Sequence, residues 1–284
     1  MSTTELPQLF PSAQDSQLLP EIGPWADQKY RLLRHYAEIL STAMRGKWGA
    51  RAYVDIFAGA GRARIKGSTE EVQTSPLIAL SVPHPFDHYI FCDLDDRQLA
   101  ALRSRVQDGF PTASVTYLQG DSQELVPKVR AALPRPPGGT LVLCFADPFR
   151  LRNLRFPTLQ SLAAGESMDF LVLLPTGMDA RRNTAAYTQE QSTVLDDALG
   201  TSSWRRRWEG GGPAAFSAFV AQEFTSRMEA IGFAHGGFKE LAQIKWQQKN
   251  LPLYHLGFFS RHELGGKFWK EARRYGSDQQ DLFR

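Results

Sequence analysis

The sequence is short of cysteine. Cys92 and Cys144 are the only two among 284 residues, too few for the disulfide framework of a small secreted scaffold. Both sit in apolar, strand-like runs and read as buried small hydrophobes in a reducing compartment. The six histidines and two cysteines fall into no metal-ligand spacing, so no metal site is expected. A long apolar run and a leader pattern are both missing, which speaks against a membrane span or secretion and for the cytoplasm. No internal repeat is visible. No charge sign dominates: 33 Lys and Arg stand against 30 Asp and Glu, a net +3. That balance permits nucleic-acid contact without demanding it. Hydrophobic residues at 42% and charged ones at 22% are those of an ordinary globular protein, which argues against a disordered chain.

What is present is organised around one stretch, Tyr53 to Gly61. Tyr53, Val54, Ile56 and Phe57 are β-branched or aromatic, as a buried parallel strand requires. Gly59 and Gly61 then allow a tight bend and a close approach of backbone to ligand. Asp55 is costly inside such a strand unless it accepts hydrogen bonds from the turn or from a cationic ligand end. The spacing departs from the dinucleotide fingerprint G-x-G-x-x-G. It stands closer to the first motif of S-adenosylmethionine (SAM) methyltransferases.

Around this stretch the chain alternates between strand and helix patterns. Residues 1–20, rich in Ser, Thr, Gln and Pro, predict a flexible arm. A helix is expected from Pro24, with Trp25, Leu32, Leu33, Tyr36, Ile39 and Leu40 facing the core. Strands are expected at 52–57, 88–93, 114–118, 140–145 and 169–174, and a final short-linked pair at 238–247 and 252–259. Residues 62–74 are polar and read as an inserted loop, either a solvated surface loop or a lid with Arg62, Arg64 and Lys66 near an anion. Ser75 and Pro76 read as N-cap and first residue of the next helix. Residues from about 180 to 212 form a polar insertion containing Trp204-Arg205-Arg206-Arg207-Trp208. The expected organisation is one domain over 21–284, α/β in class, with a parallel sheet and helices on both faces.

In such sheets, ligands bind at the carboxyl ends of the strands. Successive strands here end in Gly59–Gly61, Asp93, Gly120-Asp121, Asp147-Pro148-Phe149 and Pro175-Thr176-Gly177. Five parallel strands and then an antiparallel pair resemble a class I SAM-dependent methyltransferase, a Rossmann-like, seven-stranded sheet with only the last strand antiparallel. That resemblance implies SAM as cofactor. Asp55, with Phe57, Ala58, Gly59 and Gly61, would serve its methionine end. Asp93, beside Leu94, would bind the ribose diol, and Asp121, between Gly120 and Ser122, the adenine amine. Asp93 is open to the simpler reading of a turn acid.

Trp25-x-x-x-Lys29, the Tyr53–Gly59 block, Ser75 to Leu80, Asp147-Pro148-Phe149, Pro175 to Asp179 with Arg182-Asn183, and Phe268-Trp269-Lys270 together resemble the three-Cys-motif partner protein family. Ala60 stands where that family's turn has proline. The resemblance implies a three-cysteine, radical-SAM-like partner protein and no settled substrate.

Asp147-Pro148-Phe149 is similar to the Asp/Asn-Pro-Pro-aromatic motif of methyltransferases that act on nucleic-acid base amines, without the second proline. There the polar side chain holds the amine and the ring stacks on the base. Asp147 is therefore the candidate catalytic residue, with a structural cap as the alternative. Arg62, Thr176, Asp179, Arg182, Asn183, Arg206 and Arg207 are candidate substrate contacts. The Trp204–Trp208 run suits a nucleic-acid backbone, or equally a charged helix with two docking tryptophans. Two functions stay open: a methyltransferase acting on a nucleic-acid base, or a SAM-fold binding subunit that transfers nothing.

Overall fold

The computed structural model describes residues 15–246 and 250–281. Most of the expected flexible arm, residues 1–14, lies outside the described residues, as do 247–249, the end of the expected strand 238–247 and the start of the link after it. The first half of the chain forms β1 (Glu21–Ile22), α1 (Ala26–Ala43), β2 (Ala50–Asp55), β3 (Arg62–Ile65), β4 (Glu71–Gln73), α2 (Ser75–Leu80), β5 (His88–Asp93), α3 (Asp96–Gly109), β6 (Val115–Gln119) and α4 (Val126–Ala132). The second half forms β7 (Thr140–Ala146), α5 (Phe156–Leu162), β8 (Ser167–Leu174), α6 (Thr184–Tyr187), α7 (Val194–Leu199), α8 (Pro213–Ala230), β9 (Ala242–Trp246), β10 (Leu251–Phe259) and α9 (Glu263–Asp281).

The main sheet has seven strands in the order β6-β5-β2-β7-β8-β10-β9. Neighbours from β6 through β8 pair in parallel, because each connection carries a helix across one face. β10 is antiparallel to both β8 and β9, so it alone runs against the others. Asn250, at φ 44°, stands just before β10 in the short link that reverses the chain. This is the Rossmann-like order expected of a class I methyltransferase, with the last strand the reversed one.

Alternation along the strands divides the core in two. Ala52, Val54, Val142 and Cys144 face α4, α5 and α8 on one side. Tyr53, Phe91, Leu143 and Phe145 face α1, α2, α3 and α9 on the other. In α1 the stripe Tyr30, Leu33, Tyr36, Ala37 and Leu40 repeats at helical spacing and is buried. The indole of Trp269 in α9 stacks on Phe258, centroids 5.7 Å apart, and closes that layer. Cys92 and Cys144 are both buried and free, on strands that flank β2.

Several expectations need correction. Residues 62–74 are not a loop: β3 and β4 form an antiparallel hairpin, and β1 joins β3 in parallel as a separate three-stranded sheet. Ala63 and Val72 are buried while Arg64 points out. The period-two pattern is real, but arginines occupy its exposed positions. Strand β2 ends at Asp55, so Ile56 and Phe57 belong to the turn. Thr74, not Ser75, is the N-cap of α2. The expected strand from 238 begins with a 3-10 turn, Phe238–Glu240, and β9 starts only at Ala242. Glu240 gives its carbonyl to Trp269 Nε1 at 2.9 Å instead of a ladder.

Candidate functional site

The carboxyl ends of β2, β5 and β7 lie side by side at the centre of the sheet. The turn after β2 is stitched to both neighbours. Ile56 N–H donates to Phe145 O at 3.2 Å and Ala58 N–H to Cys92 O at 2.8 Å. Gly59 then takes φ +66° and donates its N–H to Asp93 Oδ2 at 2.8 Å. A Cβ on Gly59 would meet only Gln98 Oε1, at 3.5 Å, so the glycine leaves open space above the turn. Gly61, at φ +80°, serves a different end: a Cβ there would lie 2.7 Å from Leu102 and 3.1 Å from Leu77. It lets α2 and α3 close on the turn.

Asp55 is fully buried below this turn. Its carboxylate accepts the Phe57 N–H at 3.2 Å and the Tyr53 hydroxyl at 3.3 Å, and takes a further hydrogen bond from the Ser75 side chain. Burial nevertheless pushes its pKa up from 3.8 to about 7, with the nearby Asp147 charge adding to the shift. Phe57 is half-buried and Ala58 buried against the sheet. Asp93 ends β5 and divides its oxygens between Gly59 N–H and Asp95 N–H, the latter at 2.9 Å. Burial raises its pKa. The Leu94 N–H also donates to this carboxylate, which keeps acceptor capacity for a further donor. Leu94, 67% exposed, projects beside it. Gly120 N–H donates to Asp93 O at 3.0 Å and brings the end of β6 alongside. Asp121 and Ser122 follow, both half-buried, and Asp121 Oδ1 accepts the Gln123 N–H at 2.9 Å.

At the end of β7, Asp147 is gripped through Oδ2 by Lys29 Nζ of α1. The two side chains are only 16% and 12% exposed. Burial works against the Lys29 ammonium, yet the adjacent Asp147 carboxylate holds its pKa above the usual lysine range. Lys29 also lies 4.8 Å from the centre of the Tyr30 ring. Asp147 Oδ1 has no partner among the described residues. Pro148 is buried, and Phe149 stands 82% exposed at the rim. Tyr254 of β10 closes the other side, bonded to Trp25, with burial raising its pKa and Lys29, Asp147 and Arg182 all close enough to act on it.

The other candidate contacts are distributed differently. Thr176 is buried and shares a 2.7 Å hydrogen bond with His255 Nδ1. Asp179 is buried too. It accepts the Leu151 N–H and the Tyr187 hydroxyl through Oδ2, each at 2.8 Å, and the Asn183 side chain through Oδ1 at 2.8 Å. These groups knit together the loops that follow β7 and β8. Arg182 is exposed beside Tyr254. Arg62 is half-buried on β3 and acts on the Asp15 carboxylate. Trp204 is buried with Nε1 bonded to Asp196, and Trp208 packs on Phe216 and Phe219. Neither ring is a free stacking surface. Arg207 pairs with Glu223, while Arg206 is exposed.

Two site cations have partners that the sequence does not name. Lys29 stands out in the Trp25-x-x-x-Lys29 block and as a charge on the apolar stripe of α1, a turn before Leu33, but nothing near it in sequence names Asp147 as its partner. Arg105 of α3 is buried; its Nη1 donates to Ala60 O at 2.6 Å, inside the turn, and its other nitrogens hold Asp15 at 2.8 and 2.7 Å. Among the described residues there is no cluster of three or more metal-ligating side chains, and no helix is long and apolar enough to cross a membrane.

No family model and no curated protein matches the chain. Solved structures do. The Trm1 protein of Pyrococcus horikoshii in complex with S-adenosyl-L-methionine is 11% identical, covering 90% of this chain and 61% of its own, with a TM-score of 0.43. Magnesium protoporphyrin IX methyltransferase of Synechocystis PCC 6803 with bound SAH is 10% identical over 83% of this chain and 84% of its own, with a TM-score of 0.42. At such identities and scores these are distant likenesses, and the chain's own strand order and site geometry define it.

Proposed function

We propose that this chain is a SAM-dependent methyltransferase whose acceptor is an amine on a nucleic-acid base. The observation that carries this reading is the arrangement at the sheet centre. Buried Asp55, the open Gly59 turn tied to Asp93, and Asp147, whose Oδ1 has no partner among the described residues, lie at the adjoining carboxyl ends of β2, β5 and β7. Each acid suits a different part of the cofactor. Asp55 fits the ammonium of the methionine end, since a cation there repays the cost of its buried charge. The remaining acceptor capacity of Asp93 fits a ribose diol, with exposed Leu94 offering an apolar face next to it. Asp121 fits the adenine amine. When bound, SAM supplies a methyl group on a sulfonium, already activated for transfer.

The protein then has to position and dehydrate the acceptor. Asp147 orients the acceptor N–H with Oδ1, while Lys29 fixes Oδ2. Phe149 offers its ring to the base that carries the amine. By the same family likeness, the enzyme works with a three-cysteine-motif partner protein.

The test is incubation with labelled SAM and fractionated cellular RNA, DNA and protein, with and without such a partner. Methyl label is expected in a nucleic-acid fraction. Asp147→Ala, which removes the orienting oxygen altogether, should leave SAM affinity within about threefold and lower transfer by about 10²-fold or more. SAM binding with no transfer to any fraction would make the chain a binding subunit instead. Transfer that survives Asp147→Ala would mean another residue orients the acceptor.

A further inference from the structure

The Trp204–Trp208 run is largely absorbed by the fold, so a polyanionic acceptor needs another surface. One lies on the two loops that follow β7 and β8. Arg150, Arg152 and Arg155 come from the first loop and Arg182 from the second, and all are exposed. Elsewhere, Arg97, Arg135 and Arg207 are paired with Asp95, Glu166 and Glu223, whereas exposed Arg45, Arg64, Arg103 and Arg206 have no acid partner among the described residues but stand singly and not around an exposed aromatic ring of the site. On this rim, no acid pairs with Arg150, Arg152, Arg155 or Arg182 among the described residues. Acids are present but committed, Asp147 to Lys29 and Asp179 to Leu151, Tyr187 and Asn183.

The rim is also rigid and correctly placed. Asp179 ties the backbone of the first loop at Leu151 to the second loop and to Tyr187. Arg150 and Arg152 both act on the Tyr187 hydroxyl, and Arg182 on Tyr254, the neighbour of Asp147. At its centre Phe149 is 82% exposed, with the Arg150 guanidinium 5.5 Å from its ring. Guanidinium groups without acid partners on the loops that carry an exposed aromatic ring, Arg155 held only by the neutral Gln123 amide oxygen, match phosphates along a strand with a base near the ring. A duplex would keep its bases stacked away from such a ring.

We infer that the Phe149–Arg150–Arg152 rim, with Arg155 and Arg182, is the binding surface for a single-stranded nucleic acid, its phosphates on the arginines and one base on Phe149. This rests on the methyltransferase reading for its purpose and not for its test. Binding is measured without SAM, by fluorescence anisotropy of labelled single-stranded RNA and DNA oligonucleotides across a salt series. Arg150→Ser/Arg152→Ser removes two phosphate contacts. The slope of log affinity against log salt should then fall by about 1.4, from about 0.7 per contact on a single strand. If the curves meet near 1 M salt, affinity should be roughly 25-fold lower at 0.1 M. Phe149→Ser should weaken binding without changing the slope. Arg45→Ser/Lys47→Ser, which removes the same charge beyond the amino end of β2, should change neither.

Wild-type binding to neither oligonucleotide overturns the proposal, and so does an unchanged slope in a folded Arg150→Ser/Arg152→Ser protein. Loss with Arg206→Ser in place of the rim variant would return the contact to the Trp204 segment. Capture of an acidic protein by the rim, with no oligonucleotide binding, would replace the ligand class. Rim-dependent binding without methyl transfer upholds this inference and removes the enzyme reading. Methyl transfer with a dispensable rim does the reverse.

Discussion

Arg105 offers the clearest test of how the turn is held. Its guanidinium is buried in α3, with a side chain 3% exposed, and it makes a bidentate pair with Asp15 while holding Ala60 O. Asp15→Ala leaves that buried cation without its acid. Stranding one partner of a buried pair typically costs about 3–5 kcal/mol. Asp15 itself is 30% exposed, so water can replace part of the lost contact, and a loss of about 2–3 kcal/mol is expected. Urea unfolding with a slope near 3 kcal/mol/M should read this as a midpoint shift of up to about 1 M. The double variant Asp15→Ala/Arg105→Met removes the charge as well. It should be more stable than Asp15→Ala alone, less about 1 kcal/mol for the Ala60 carbonyl left without its donor. The Arg105 hydrogen bonds hold the Asp15 carboxyl below its usual range. Its contribution is therefore full above about pH 4 and is lost as pH falls through the depressed value. A cost below about 0.5 kcal/mol for Asp15→Ala, or a double variant no better than the single one, would refute a turn anchored in this way.

Three further predictions concern the site and its pH dependence. Asp55, raised to about 7, holds a proton in the fold that the unfolded chain releases near 3.8, so its burial costs more stability as pH rises from about 4 to 7. A cationic ligand needs the carboxylate, so SAM affinity should rise through pH 7 and binding at pH 6 should release a proton; calorimetry in buffers of different ionisation heat would contradict this if Asp55→Asn released the same number. His255, lowered by burial from 6.5 to about 4, stays neutral in the fold, so its contribution is full above about pH 6.5 and falls away toward pH 4. The whole span amounts to about 3 kcal/mol, and a His255→Gln protein with an undiminished loss of stability between those pH values would exclude it. Gly61→Ala should cost about 2–4 kcal/mol, from positive φ together with overpacking against Leu102 and Leu77. Gly59→Ala should cost only about 1–2 kcal/mol, for its φ, and should weaken SAM more than it weakens the fold; equal unfolding midpoints for the two variants would contradict the distinction.

The sequence by itself determined the parallel sheet, the reversed last strand and the acids at the strand ends. Those features are local: a run such as Tyr53–Asp55 can be satisfied only as a buried strand, Gly59 only as a turn, and the short link near Asn250 only by antiparallel neighbours. What only the tertiary structure decided is which side chains are occupied. Lys29 meets Asp147 across 118 positions of sequence and Arg105 meets Asp15 across 90. The hairpin at 62–74 was hidden because arginine filled its outward positions. Trp204 and Arg207 looked like a nucleic-acid surface until Asp196 and Glu223 proved to be their partners. Asp179 looked like a ligand contact until Leu151, Tyr187 and Asn183 filled its oxygens. A charge or an aromatic ring has the same residue type whether it is spent on the fold or left for a ligand. The difference lies in long-range packing, and it is packing that leaves Phe149, Arg150 and Arg152 facing outward.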